Sequence, residues 1–288
     1  MTGTLALPSL DQIRGVARSL WMYYGHPSHM RRMARLYRQF MAPGDLAFDI
    51  GAHVGSRTLA WSRLGARVVA VEPVPQAVHT LRILFGRSPN VELVAAAVGA
   101  HQGVLPMLIS EREPTVSTLS AAWAHRMQRE REAFARTHWE RSVDVSVTTL
   151  DALVGRYGEP AFCKIDTEGY DVEVLRGLSR PLRALSFEYV PPALDLVADC
   201  LSRLAELGAY TYNWSPGESM SLHWPEWVAP DKLLAYLHEY PLQGTPGDVY
   251  ARLLRSATPS DARAASADHL SQCDHAGSLP DPSGSVRA

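Results

Sequence analysis

The segment LAFDIGAHVGSRTLAWSRLGARVVAVEP, residues 46–73, constrains the fold more than any other part of this chain. It consists of an apolar run that contains Asp49, a loop over Gly51–Gly55, a helical stretch, and a second apolar run that ends at Glu72. Short apolar runs that alternate with helical stretches are typical of parallel strands joined by helices. The segment therefore predicts one strand–helix–strand unit of an α/β fold.

The same alternation continues downstream and predicts a mostly parallel sheet with helices on both faces. Further helices are expected over Pro75–Phe85, Tyr170–Leu178 and Pro192–Leu207. VLPMLIS is predicted as an added strand, and AYTYNW and SMSLHW as a closing antiparallel pair. The remaining strands are expected in VELVAAAV, VDVSVTTLDAL, AFCKIDTEG and RALSFEYV.

Composition divides the chain into three parts. Residues 1–43 should form a helical extension, with helices over Leu10–Tyr24 and Ser28–Met41. Residues 44–255 should form the main domain, and the Ala-, Ser-, Gly- and Pro-rich residues 256–288 a disordered tail. The arginines of the extension form either a solvated face or a surface for an anionic substrate, a carrier protein or a membrane. They are Arg14, Arg18, Arg31, Arg32, Arg35 and Arg38.

Residues 120–141 interrupt the alternation of strands and helices. This stretch, SAAWAHRMQREREAFARTHWER, is charged and helix-prone, and it carries Trp123, Met127, Phe134 and Trp139. We expect one inserted helix here. It is either a surface helix that buries those apolar side chains or a lid that forms a wall of the substrate site.

Charge and cysteine spacing exclude several classes of protein. The formal net charge of −2 argues against a nucleic-acid-binding protein. Cys163, Cys200 and Cys273 lack the spacing of a zinc site or a disulfide framework. No apolar run reaches the ~20 residues of a membrane helix, and the N-terminus lacks the pattern of a secretion signal. We therefore expect a cytoplasmic protein.

The loop between the first two strands predicts a nucleoside site. Ligands of open parallel sheets bind beyond the carboxyl ends of the strands, where Glu72 can accept hydrogen bonds from both ribose hydroxyls. His53 replaces the second glycine of the dinucleotide fingerprint, and no P-loop lysine follows. Asp49 would repel a pyrophosphate but would suit the ammonium group of an amino-acid moiety. This combination is typical of S-adenosylmethionine (SAM) sites.

Four motifs in order resemble the FkbM family of SAM-dependent methyltransferases: DIGAHVG, VVAVEP, VTTLDAL and KIDTEGYDVEVLRGL. The resemblance covers Gly44–Tyr189, and KIDTEGYDVEVLRGL is its most specific part. It implies a class I, Rossmann-like methyltransferase fold. It also implies methylation of a hydroxyl oxygen on a sugar or a secondary metabolite, as in natural-product or glycan tailoring.

Two features depart from the pattern of this family. His53 stands where the family usually has Asn, which would change the hydrogen bonds between the loop and the cofactor. The insertion at 120–141 is longer than is usual in the family, so the identity of the substrate does not transfer.

Three carboxylates are the catalytic candidates. Asp166 and Glu168 end the KID strand, and Glu188 ends the next strand. Together they would either raise one another's pKa to form a general base or hold a Mg²⁺ ion that acidifies the acceptor hydroxyl. The alternatives are helix capping for Asp166 and Glu168, cofactor binding for Asp166, and a structural ion pair for Glu188. Strand alternation leaves open whether Lys164 reaches this cluster.

The cofactor itself would lie between the first strand and the third. Adenine is expected against Ala96–Val98, where small side chains leave room. The predicted cofactor-binding residues are Asp49, Gly51, His53, Gly55, Glu72, Pro73, Ala97 and Asp166.

The sequence leaves other functions open. A nicotinamide-dependent oxidoreductase on a similar sheet is one alternative, although the chain lacks G-x-G-x-x-G. A SAM-binding module without catalytic activity is another. For an O-methyltransferase, the expected partner is a small-molecule or glycan acceptor.

Overall fold

The computed structural model describes residues 14–15, 18–21, 27–135, 137–239 and 245–254. The chain divides into two units, Met1–Leu253 and Leu254–Ala288. Of the second unit, the structure describes Leu254 alone. The predicted tail therefore lies outside the described residues. Most of the predicted helix over Leu10–Tyr24 does too, although residues 14–15 and 18–21 are helical.

Ten strands lie in the described ranges. They are β1 (Leu46–Ile50), β2 (Arg67–Val71), β3 (Val91–Val94), β4 (Ala97–Val98), β5 (Gly103–Ile109), β6 (Arg141–Thr148), β7 (Phe162–Ile165), β8 (Ala184–Tyr189), β9 (Tyr210–Pro216) and β10 (Gly247–Leu253). Seven of them form the main sheet in the order β3-β2-β1-β7-β8-β10-β9. The pairs from β3 to β8 are parallel, and β10 is antiparallel to both of its neighbours. The mostly parallel sheet is as predicted.

Helices cover both faces of this sheet. They are α1 (Pro27–Tyr37), α2 (Ser56–Arg63), α3 (Pro75–Phe85), α4 (Ala121–Glu130), α5 (Leu150–Tyr157), α6 (Asp171–Arg176), α7 (Leu194–Leu207) and α8 (Pro230–Glu239). Residues of α1 and α2 pack in one core against Ala47, Phe162 and Tyr250. Residues of α5 to α8 pack in another core with Phe48 and Phe187. Adjacent strand residues thus serve opposite cores, as the pleat requires.

The helix α1 is part of the core of the domain. Its apolar face buries Met33, Leu36 and Tyr37 completely or nearly so. Tyr37 contacts Trp61 and Phe162 edge to face, with ring centroids 5.0 and 5.4 Å away. The opposite face is exposed and carries Arg31, Arg32 and Arg35, and the exposed Arg38 follows the helix.

A second, three-stranded sheet has the order β4-β6-β5. The prediction of one strand over VELVAAAV is therefore wrong, because β3 ends at Val94 and β4 pairs with β6 instead. The prediction that VDVSVTTLDAL returns to the main sheet is wrong for the same reason. A short turn in which Ala96 N donates to Val94 O separates the two strands.

The insertion contains a shorter helix than predicted. The Ser120 side chain caps α4 by accepting a hydrogen bond from Trp123 N at 3.2 Å, and α4 ends at Glu130. The backbone of Arg131 is extended, a short turn follows over Glu132–Phe134, and the strand β6 already begins at Arg141. A single helix over 120–141 is therefore wrong.

The antiparallel partner of β9 was also misassigned. The SMSLHW run forms a loop, and the strand β10 pairs with β9 along its whole length. The side chain of Asn213 holds that loop, because its amide donates to Trp224 O at 2.8 Å and its oxygen accepts from Trp224 N at 3.1 Å. None of the helices in the described ranges is long and apolar enough to cross a membrane.

Candidate active site

A cleft of about 860 Å³ opens at the carboxyl ends of β1, β2 and β7. Its walls come from the loop after β1, the start of α2, the ends of β2 and β4, and the segment from 114 to 119. Seven of the eight predicted cofactor-binding residues line it: Asp49, Gly51, His53, Glu72, Pro73, Ala97 and Asp166.

The glycine loop is shaped by two positive φ angles. Gly51 has φ +78°, and a Cβ there would lie 1.8 Å from the backbone oxygen of Asp166. The loop therefore passes against the end of β7 as closely as only glycine permits. Gly55 also has φ +78°, but its Cα faces Phe85 and Leu81 rather than the cleft. Gly55 thus shapes the start of α2, while Gly51 brings the two strand ends together.

Two buried acids, Asp49 and Glu72, lie beside the glycine loop. Asp49 is 1% exposed and accepts a hydrogen bond from Thr58 Oγ1 at 2.6 Å. Glu72 accepts from His53 N through Oε2 and from Val74 N through Oε1, both at 2.8 Å. Burial raises the pKa of Asp49 and raises the pKa of Glu72 to about 7. Each Glu72 oxygen keeps a lone pair for another donor.

His53 contributes a neutral ring to the cleft. Its backbone has φ +48°, which histidine tolerates better than most residues do. Burial lowers the pKa of the ring to about 4. Its Nε2 is buried and has no hydrogen-bond partner within the described residues.

The three catalytic candidates lie together. Side-chain oxygens of Asp166, Glu168 and Glu188 come within 4.8 Å of one another, and all three residues are partly buried. Glu188 Oε2 is buried and has no hydrogen-bond partner within the described part of the chain. The helix α6 begins with Tyr170 as its cap and has no side-chain cap bond. The capping alternatives for Asp166 and Glu168 are therefore wrong.

The three carboxyl groups differ in their electrostatics. Burial, followed by the charge of Glu188, raises the pKa of Glu168 well above its ordinary value. Burial, followed by the charge of Asp166, does the same for Glu188. Burial alone would also raise the pKa of Asp166, but the charges of Lys164 and Arg57 outweigh it and lower that pKa.

A buried ion-pair network produces this difference. Lys164 is 1% exposed, and its Nζ donates to Asp166 Oδ2 at 2.8 Å and to Asp248 Oδ1 at 3.2 Å. Asp248 Oδ2 lies 3.5 Å from Arg57 Nη2, and the same nitrogen lies 3.4 Å from Glu218 Oε1. Arg57 and Asp248 were not among the site residues predicted from the sequence. Asp248 could not be placed at the site because β10 was not recognised as a strand.

Asp171 is a third site residue that was not predicted from the sequence. Its Oδ1 accepts hydrogen bonds from Thr167 N, at 3.0 Å, and from Thr167 Oγ1. Its Oδ2 accepts from Glu188 N at 3.1 Å. Asp171 thereby ties the loop that carries Glu168 to the strand that carries Glu188, and burial raises its pKa to about 6.

A family model for the FkbM methyltransferase domain matches residues 49–239. This match covers well over half of the chain and contains all the residues of the acidic cluster. The chain belongs to the FkbM methyltransferase family. The class I methyltransferase fold and a SAM-dependent methyltransferase activity follow from this membership.

Similar proteins include a hexuronic acid methyltransferase and two methyltransferases of known structure. The chain is 23% identical to the hexuronic acid methyltransferase AglP of Haloferax volcanii over 66% of its own length and 76% of that protein. Among solved structures, a TehB-like SAM-dependent methyltransferase from Corynebacterium glutamicum has 11% identity and a TM-score of 0.42. It is matched over 85% of this chain and 98% of that one. A precorrin-6y C5,15-methyltransferase from Geobacter metallireducens has 15% identity and a TM-score of 0.41. It is matched over 77% of this chain and 87% of that one.

The cleft of this FkbM protein fits SAM. Glu72 lies at the end of β2, where a ribose would present its hydroxyls, and the small side chains of Ala96 and Ala97 line the wall beyond it. Two buried nitrogens that have no partner in the described part of the chain, His53 Nε2 and Arg57 Nε, belong to residues that line the same cleft. Buried polar atoms without partners are rare in proteins, so these two favour a polar ligand.

The insertion and the residues just before it lie against the residues of the acidic cluster. Thr118 Oγ1 donates to Glu168 O at 2.7 Å, and Ser117 and Leu119 line the cleft. Trp123 is so close to Gly169 that a Cβ there would lie 2.2 Å from Trp123 Cδ1. Trp123 and Glu188 also line a second, smaller cavity of about 290 Å³. The helix α4 therefore both buries its apolar side chains and forms a wall beside the carboxylates.

Proposed function

We propose that this protein is a SAM-dependent O-methyltransferase that acts on a hydroxyl group of a sugar or of a secondary metabolite. The observation that carries the proposal is the cluster of Asp166, Glu168 and Glu188, of which Asp166 and Glu168 line the cleft. An alcohol is a weak nucleophile until its proton begins to leave, and a positioned base accelerates that step by about 10²–10⁴-fold.

Other residues of the cleft would bind the cofactor. Glu72 and Pro73 would hold the nucleoside, Ala97 would pack against the adenine, and Asp49 and Asp166 would face the ammonium group. Bound SAM supplies the electrophilic methyl group. The protein then has to hold the acceptor oxygen close and in line, which is a positioning task.

Glu168 and Glu188 are the better candidates for the base. Burial, and after it the charge of a neighbouring carboxylate, raises the pKa of each, which brings a carboxylate closer to the basicity that proton removal needs. Asp166 is bonded to Lys164, which lowers its basicity. Asp166 is therefore better suited to binding than to proton transfer.

A divalent cation is the second way to activate the acceptor. Three carboxylates with oxygens within 4.8 Å of one another have the chemistry that Mg²⁺ prefers. A bound ion would be held by Asp166, Glu168 and Glu188 and would acidify the hydroxyl group. Activity that survives EDTA would favour the base, and activity restored by Mg²⁺ alone would favour the ion.

The choice of a sugar acceptor rests on similarity. AglP, as its name states, methylates a hexuronic acid, and this supports a carbohydrate for the present chain. A cytoplasmic location and the absence of a nucleic-acid partner stay predictions from the sequence.

The first experiment is calorimetry with S-adenosylhomocysteine (SAH), the demethylated cofactor. The native protein should bind, Glu72→Ala should bind at least about tenfold more weakly, and Glu92→Ala, at an exposed position of β3, should bind normally. Methyl transfer from labelled SAM to a panel of sugars and polyols follows. Binding of NAD(H) without SAH would contradict the proposal, as would transfer to nitrogen rather than oxygen. Binding without any transfer would favour a non-catalytic module.

A further inference from the structure

Arg57 is the one lysine or arginine among the described residues that line the cleft. It lies in the first turn of α2, just after the glycine loop, and its side chain is 10% exposed. The other ionisable groups in the lining are carboxylic acids, the phenol of Tyr170 and the neutral His53. Any anionic group of a ligand in this cleft therefore has one cationic side chain to bind.

The contacts of Arg57 leave part of its guanidinium available. Both of its acidic neighbours, Glu218 and Asp248, lie near the same nitrogen, Nη2. Its Nε is buried and has no hydrogen-bond partner among the described residues. A guanidinium has five N–H donors in a planar fork that matches a carboxylate. An unmet donor in a buried arginine that lines a cleft indicates that a ligand acceptor belongs there.

The buried ion-pair network indicates at which end of the cleft Arg57 lies. Asp248 binds both Arg57 and Lys164, and Lys164 in turn holds Asp166 at the end of β7. Glu72 follows β2, and β1 separates β2 from β7 in the sheet. Arg57 therefore lies at the Asp166 end of the cleft, away from the ribose-binding acid.

We propose that Arg57 binds the α-carboxylate of the methionine part of the cofactor, and that Asp248 and Glu218 are positioning residues for its guanidinium. The inference rests on SAM as the cofactor. A methionine end is a zwitterion, so it needs an acid for its ammonium group and a cation for its carboxylate. Asp49 and Asp166 provide the first, and Arg57 provides the second in the same cleft.

The test compares two ligands that differ only in the carboxylate. SAH carries it, whereas decarboxylated SAH, S-adenosyl-3-thiopropylamine, keeps the adenosine, the sulfur and the amine. By calorimetry, Arg57→Met should weaken SAH binding about 10- to 100-fold and change binding of the decarboxylated ligand by less than about twofold. Asp248→Asn should weaken SAH selectively but to a smaller extent, because it loosens the guanidinium without removing it.

Glu72→Ala is the matched control, since it should weaken both ligands equally. Equal losses for both ligands in Arg57→Met, or no loss at all, would overturn the assignment. If native protein binds neither ligand, the cofactor itself is wrong, which is a separate result. If Arg57→Met fails to fold, Arg57→Lys, which keeps the charge but not the planar fork, must show the same selective loss of SAH affinity.

Discussion

At the scale of single residues, Glu72 connects burial to the pH dependence of the cleft. Its folded pKa of about 7 lies above the ordinary value of 4.5. Ionising this carboxyl group therefore opposes folding. Its contribution to stability is fully present below pH 4.5 and is lost as the pH rises through about 7. The affinity for a nucleoside should instead rise with pH, because in the proposed site the ionised carboxylate would accept hydrogen bonds from both ribose hydroxyls.

The corresponding prediction concerns 5′-methylthioadenosine, which carries the nucleoside but no amino-acid group. Each pH unit below the pKa lowers the ionised fraction of Glu72 about tenfold. Affinity should therefore fall by about tenfold or more between pH 8 and pH 5. Calorimetry across this range checks it, with Glu72→Gln as the control that should bind weakly and without that pH dependence. An equal pH dependence in both proteins would assign it to another group.

A second residue prediction separates close packing from backbone strain. Gly51 and Gly44 both have positive φ, at +78° and +89°, but a Cβ at Gly44 would meet nothing within 4 Å. Gly44→Ala should cost about 1 kcal/mol of unfolding free energy, from strain alone. Gly51→Ala should cost about 3 kcal/mol or more, because the backbone of Asp166 has to move. Urea unfolding measures both, and similar costs would mean that the loop can shift away from β7.

At the scale of elements, the helix α4 is expected to protect the acidic cluster from solvent. Trp123 is 3% exposed and packs with Met127, Val190 and Ala193. Trp123→Ala should lower the free energy of unfolding by about 3–5 kcal/mol, whereas the exposed His125→Ala on the same helix should change it little. Urea unfolding and the pH dependence of methyl transfer are the measurements. In Trp123→Ala, water that reaches the cluster should lower the pKa values of Glu168 and Glu188. The acidic limb of the pH–rate profile should then move to lower pH. An unchanged limb would contradict shielding by α4.

The elements also indicate how far sequence reasoning reaches. The unit of β1, α2 and β2 was predictable because its signals are local: apolar runs, glycines and acids at fixed spacing. The strand β10 was not, because its neighbours β8 and β9 are distant in sequence. The network through Asp248 depends on that pairing, so it was hidden as well. Likewise, nothing local distinguishes β4 from a continuation of β3.

At the scale of the whole molecule, the family match and the folded unit have different limits. The match begins at residue 49 and ends at residue 239, yet the main sheet is completed by β10 at Leu253. On the other side, α1 packs into one core of the sheet. The N-terminal residues that the sequence presented as an extension thus include a structural helix of the domain.

Truncations test this larger unit. Removing residues 1–43 should abolish cooperative thermal unfolding, because Trp61, Phe162 and Tyr250 would lose their cover of Met33, Tyr37 and Phe40. The loss of one large buried side chain from a core lowers the free energy of unfolding by about 3–5 kcal/mol. The sum of these losses exceeds the stability of a typical domain. Removing residues 256–288 is the control, and it should leave the melting temperature within about 2 °C and the SAH affinity unchanged. A folded, SAH-binding 44–288 fragment would show that α1 only covers the sheet. An equal loss from the C-terminal truncation would place the domain boundary beyond residue 255.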